Sequence, residues 1–186
     1  MSDSGKTSDL LAQLPKGRGP APVHLWNPAF CGDIDMRIAR DGTWYYQGSP
    51  IGRKPMVQLF SNIIRRDGDD YFLVTPVEKV GIQVDDAPFV AISLSVSGAG
   101  ERQILSLVTH VDDQVEIGPQ HPLRVETDPV TLEPAPYVLV RANLEALLHR
   151  NVFYQLVDLA VSAELDGQRW LGVWSHGVFF PIGPEP

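Results

Sequence analysis

The chain has 186 residues, of which 44% are hydrophobic and 20% charged, and it carries a formal net charge of −8. That length suits one domain or two small ones, which can bury about two thirds of the unfolded surface without help from metals or disulfides. The acidic balance argues against a sequence-independent nucleic-acid binder, which needs a basic surface to displace counterions, and no apolar run approaches the roughly 18 residues of a membrane span.

In chain order, residues 1–21 mix Ser, Gly, Lys and Pro around Leu10, Leu11 and Leu14 and predict a disordered start with room for one helical turn that docks late. From Pro22 to Pro28 the prolines favour an extended chain. Asp33, Asp35 and Arg37 then alternate with Ile34, Met36 and Ile38, so a strand here turns one polar and one apolar face. Asp41-Gly42 is a strong hairpin signal, with Thr43 to Gln47 as the return strand. Pro55 suits a helix start, and Met56, Leu59, Phe60, Ile63 and Ile64 recur at helical spacing, which predicts a helix closing on Arg65, Arg66 and a Gly68 cap. Strands follow at Tyr71–Thr75 and Glu78–Val84, broken by Pro76.

From residue 89 to 97, Val90, Ile92, Leu94 and Val96 alternate with small residues, which predicts a strand with those four on the core face. An antiparallel meander continues through 104–109, 115–117 and 123–126 to a proline-rich loop at 127–136. After a strand at 137–141, Asn143 reads as the cap of a long helix reaching Ser162, with Leu144, Leu147, Leu148, Val152, Leu156 and Leu159 on its apolar face. Asp166-Gly167 leads to a final hairpin of 169–174 and 178–182 around His176-Gly177. The expectation is therefore an α+β chain: an N-terminal α+β subdomain at 22–88, packed on a C-terminal antiparallel β-roll with a long helix at 89–186. DGTWYYQGSPIG at 41–52 and SHGVFFPIG at 175–183 also echo each other, through either duplication of an α+β unit or coincidence of turn chemistry.

No stretch carries a recognisable catalytic or cofactor motif, and no cofactor is expected. Ser175 and His176 are adjacent, and neighbours on a tight turn diverge, so they do not make a nucleophile and base. Asp33 and Asp35 share a strand face and form the weak alternative for a divalent-cation site, against a reading in which they only cap turns and pair with Arg37 or Arg53. Arg65 and Arg66 read as complements to a helix dipole rather than an anion site. Aromatic residues in strands are mostly core, but His24, Trp26, Asp35, Arg37, Trp44, Tyr46 and Arg53 would together make a pocket for a small polar ligand or a peptide. The single Cys31 suits a reducing compartment, and the polar opening MSDSGKTSD lacks the layout of a secretory signal, so the expected location is the cytoplasm.

WNPAFCGDIDMRIARDGTWYYQGSPIGR at 26–53, VTPVEKVGI at 74–82, DAPFVA at 86–91 and GVWSHGVFFPIG at 172–183 resemble a family of bacterial proteins, domain of unknown function 1285. The resemblance covers about residues 22–183 and implies an N-terminal α+β unit, a β-rich C-terminal roll closed by a helix, and repeated α+β elements. It assigns no activity or functional residue and leans toward signalling or ligand sensing. The expected function is a non-enzymatic module binding an unknown small molecule or protein, without nucleic acid or membrane. A divalent-metal-dependent enzyme using Asp33 and Asp35, and a structural subunit of a complex, are the alternatives; the residues leave the oligomeric state open.

Overall fold

The computed structural model describes residues 4–14, 17 and 19–186. The chain is α+β and divides into two compact units, Met1–Asp86 and Ala87–Pro186.

The first unit contains α1 (Ser4–Ala12), β1 (Phe30–Ile38), β2 (Trp44–Tyr46), β3 (Ser49–Pro50), α2 (Lys54–Ser61), β4 (Ile64–Asp67), β5 (Asp70–Val74) and β6 (Lys79–Val84). Its strands form one sheet in the order β3-β2-β1-β6-β5-β4, antiparallel except for the central parallel pair β1–β6. The alternation in β1 decides its two faces. Ile34, Met36 and Ile38 are buried, whereas Asp33 and Asp35 are exposed and Arg37 is half-buried. The β1–β2 turn is held by the Asp41 carboxylate, which accepts from the Thr43 amide at 2.9 Å, while Gly42 takes a φ of 91° that a side chain would resist. On the apolar side, Trp44 stacks on Phe60 of α2 with ring centroids 6.2 Å apart and planes 17° from parallel.

Two expectations fail in this unit. The predicted disordered segment contains a helix at Ser4–Ala12, whose Leu10 is fully buried. Gln13 ties it down: its side chain accepts from the Thr75 hydroxyl at 2.6 Å and donates to Glu78 at 3.3 Å. Residues 1–3, 15, 16 and 18 of that segment lie outside the described residues. The second failure concerns α2, which stops at Ser61 rather than at Arg66, because Ile63 and Ile64 leave the helix to be buried at the start of β4. Gly68, with a φ of 62°, turns the β4–β5 hairpin and caps nothing. Arg65 and Arg66 therefore act from a strand. Arg65 donates to the carbonyls of Val23 and Trp26 at 3.0 and 2.6 Å and ion-pairs with Asp67, and Arg66 lies over the Tyr71 ring.

The second unit contains β7 (Phe89–Ser97), β8 (Ile104–Thr109), β9 (Gln114–Glu116), β10 (Leu123–Thr127), β11 (Pro134–Arg141), β12 (Leu144–Leu148), α3 (Arg150–Asp158), β13 (Val161–Leu165), β14 (Gln168–Ser175) and β15 (Val178–Pro184). A mixed six-stranded sheet runs β10-β11-β12-β7-β8-β9, again with a central parallel pair, β12–β7, and a separate antiparallel sheet runs β13-β14-β15. The two six-stranded sheets have one topology: three strands step outward from the centre, and three return so that the sixth lies parallel to the first. The echo at 41–52 and 175–183 does not fall on equivalent positions of this pattern, because its second copy lies in the three-stranded sheet.

The long helix predicted from Asn143 to Ser162 is three elements. Arg141 faces Leu144 across a two-residue turn in which Ala142 has a φ of 49°, and Leu144, Ala146 and Leu148 then alternate inward as a strand. His149 caps α3, its Nδ1 accepting from the Asn151 amide at 3.3 Å, and nine residues later the chain returns toward β13. Strand alternation and helical spacing overlap along this leucine-rich stretch, and the hairpin at Ala142-Asn143 decides between them. The core face assigned to β7 also shifts. Phe89, Val90 and Ala91 are buried in succession between β12 and β8, but a register shift between Ala91 and Ser93 leaves Ile92 out of the ladder and 51% exposed, and Val96, beyond the end of β12, is 47% exposed.

Candidate functional site

The second unit holds a cavity of about 740 Å³ lined by Ser106, Gln114, Glu116, Gln120, His121 and His176 among others. Edge strand β9 buries Val115 and turns Gln114 and Glu116 outward. The Gly118 and His121 backbones bridge at 3.1 Å in both directions, which folds the 118–121 loop into one wall. His121 is fixed by its Nδ1, 2.9 Å from the Leu139 carbonyl, so Nδ1 carries the proton and the neutral ring keeps Nε2 as an acceptor.

His176 arrives from the β14–β15 turn, where it has a φ of 50° and is followed by Gly177 at 72°. Three bonds pin that turn to the start of β8. The fully buried Ser175 hydroxyl accepts from the Leu105 amide at 3.0 Å, the His176 amide donates to the Gln103 carbonyl at 3.2 Å, and the Gln103 side chain donates to the Trp174 carbonyl at 2.9 Å. The His176 ring therefore meets Glu116, Nε2 to Oε2, at 2.6 Å. Gly118 makes room for it, since a Cβ there would approach the ring at 3.2 Å. The side chains of His176 and Glu116 are 38% and 55% exposed, so solvent screens the pair and its worth to folding is small. The pair sets an imidazole beside a carboxylate on an open polar surface. Ser175 takes no part in nucleophilic chemistry, as its hydroxyl is buried in a structural bond.

The seven residues expected to form a pocket are not gathered into one. His24 and Trp26 sit in and after a 3-10 turn, Val23–Leu25, that Arg65 holds against β4, whereas Trp44 and Tyr46 belong to β2, near the other edge of that sheet. Trp44 is 1% exposed, and its buried Nε1 has no hydrogen-bond partner. Asp35 and Arg37 face away from it. Tyr46 pairs with Met36 and so lies on the apolar side, while Tyr45, opposite Arg37, shares the polar face, with the guanidinium 4.8 Å from its ring. Arg53 is exposed just before α2. Arg37 ion-pairs with Asp85, not Asp35. Asp33 lies over Gly81, where a Cβ would collide with its carboxylate. Among the described residues no three His, Cys, Asp or Glu side chains are arranged to hold a metal ion, so Asp33 and Asp35 lack a third ligand.

Sequence reasoning missed Glu116 and the 118–121 loop, and it discarded His176 with Ser175. The one available signal was His176-Gly177 in a two-residue turn, a position that projects a side chain beyond the sheet.

Two family models match in succession: Domain of unknown function (DUF1285), N-terminal domain, over residues 21–87, and Protein of unknown function (DUF1285), C-terminal domain, over residues 88–182. A crystal structure of a DUF1285 family protein from Silicibacter pomeroyi DSS-3 is 58% identical over 94% of each chain, with a TM-score of 0.86. Another DUF1285 family protein, from Shewanella baltica OS155, is 25% identical with a TM-score of 0.53, covering 67% of this chain and 91% of its own. Among curated proteins none matches. With both of its halves matched in order, the chain belongs to the DUF1285 family.

Proposed function

We propose that this chain is a non-enzymatic binding module whose second unit takes a small polar ligand in the groove between Glu116, His176 and the 118–121 loop. The observation that carries this reading is the Glu116–His176 pair, fixed at 2.6 Å in a 740 Å³ cavity that also offers the amides of Gln114 and Gln120. The lining contains no Lys or Arg, so it suits a neutral or cationic ligand rich in hydrogen-bonding groups rather than a phosphate or a carboxylate. A sensing role in the bacterial cytoplasm fits such a module. The shared strand order of the two six-stranded sheets supports duplication of one unit, with equivalences other than those the sequence echo suggested.

A thermal-shift screen against nucleosides, amino acids, amines and sugars tests the reading. Ligand at a hundred times its dissociation constant adds about 2.7 kcal/mol of stability. The expected result is a hit from a neutral or cationic class that is lost in His176→Ala and Glu116→Gln, with the unliganded melting temperature unchanged. Hits that survive both substitutions would place the ligand elsewhere.

A further inference from the structure

From the edge of β7 beyond Ala91, where no strand of the described residues pairs with it on the β12 side, we infer that this chain pairs with a second copy of itself, strand to strand, through residues Ser93–Ser97. Strand β12 lies beside β7 only from Phe89 to Ala91, and beyond that point β7 is hydrogen-bonded on one side alone, to β8. The backbone directions follow from Leu105. Its amide donates to Ser175 and its carbonyl accepts from Ile117, so both groups point away from β7. Ile104 and Ser106 must then bond to β7, through their partners Ser97 and Ser95. The backbone groups of Leu94 and Val96, opposite Leu107 and Leu105, consequently face outward along the open edge.

Exposed edges are ordinarily blunted by charge or proline. The other edge strands are: Pro50 in β3, Arg65 and Arg66 in β4, Glu116 in β9, Arg124 and Glu126 in β10, Glu164 in β13, and Pro181 and Pro184 in β15. The β7 edge has neither device, for no charged residue occurs between Ala87 and Gly100 in a chain of net charge −8. Uncharged surface is where two copies of an acidic protein can approach. The order Ser-Leu-Ser-Val-Ser, from Ser93 to Ser97, also keeps its alternation when reversed. A two-fold axis at Ser95 sets Leu94 against Val96 on one face and serine against serine on the other, with Leu94 and Val96 closing the ladder between copies. A foreign strand would need no such self-match.

Sedimentation equilibrium of the full chain is expected to show a concentration-dependent dimer, and Val96→Glu, at a half-exposed position, should return it to a monomer that keeps the wild-type circular dichroism spectrum and the melting temperature of the dilute wild-type monomer. In a Cys31→Ser background, Ser95→Cys should oxidise to a covalent dimer, because directly opposed residues of this kind lie roughly 4.5 Å apart between Cα atoms. Asp69→Cys in the same background, at a fully exposed position, should not. A wild-type chain that stays monomeric, a dimer indifferent to Val96→Glu, or equal cross-linking of the two cysteine variants would overturn the pairing.

Discussion

His176 and Glu116 are brought together by residues that carry no charge of their own. The buried hydroxyl of Ser175 and the amide of Gln103 set the turn, and Gly118 leaves space for the ring. Elsewhere two carboxylates respond to acid in opposite senses. At Asp67 partial burial alone would raise the pKa, but hydrogen bonds and charge from Lys79 and Arg65 outweigh it and hold the carboxyl below its ordinary 3.8. A depressed pKa contributes stability above the unfolded value that is lost as the pH falls through the folded one. Urea unfolding of Asp67→Asn should therefore show a deficit near neutrality that shrinks below about pH 4. At Asp113 burial wins over the attraction of Arg141, 3.2 Å away, and raises the pKa. Its contribution runs the other way, full in acid and lost as the pH rises through the raised value. Removing this carboxylate still takes an ion-pair partner from the largely buried Arg141 guanidinium, which lies over the Phe89 ring, so Asp113→Ala should cost about 2 kcal/mol at pH 7 by denaturant titration.

At the scale of elements, the hairpins were readable because turn chemistry is local: Asp41-Gly42, Asp166-Gly167 and His176-Gly177 all turn where the sequence indicates. Helix ends were not. Ile63 and Ile64 fit helical spacing and strand burial equally well, and which one wins depends on pairing with β5, a partner that local spacing does not contain. The same ambiguity merged β12, α3 and β13 into one helix. The exposure of Ile92 depends on the register shift against β8, again a property of a neighbour. Two substitutions check the corrected register. Leu107, fully buried on β8, should cost about 2–5 kcal/mol as Leu107→Ala, whereas Ile92→Ala should cost less than about 1 kcal/mol. Gly172 lies at a register shift in β14 where a Cβ would collide with the Phe180 carbonyl and the Phe179 ring, so Gly172→Ala should lower stability by about 1–3 kcal/mol. Equal effects of Leu107→Ala and Ile92→Ala in chemical unfolding would mean that the β7–β8 register is wrong.

The whole molecule repeats one strand order in two six-stranded sheets and adds a small third sheet to the second unit. Family membership was legible in the sequence because motif order along the chain survives without knowledge of pairing. The groove was not, because it joins residues 60 positions apart, Glu116 and His176, across elements with no common motif. Trp44 follows the general expectation that strand aromatics are core, and its stack on Phe60 takes it out of the pocket that the sequence offered as the alternative. No helix among the described residues is long and apolar enough to cross a membrane. The most direct test of the binding groove uses the five histidines as reporters, His24, His110, His121, His149 and His176. Their ring C–H resonances, followed by NMR while pools of neutral and cationic polar compounds are added, should move at His176 and His121 and stay fixed at His24. Movement at His24 without His176, or no movement with any pool, would contradict the assignment of the ligand to the groove.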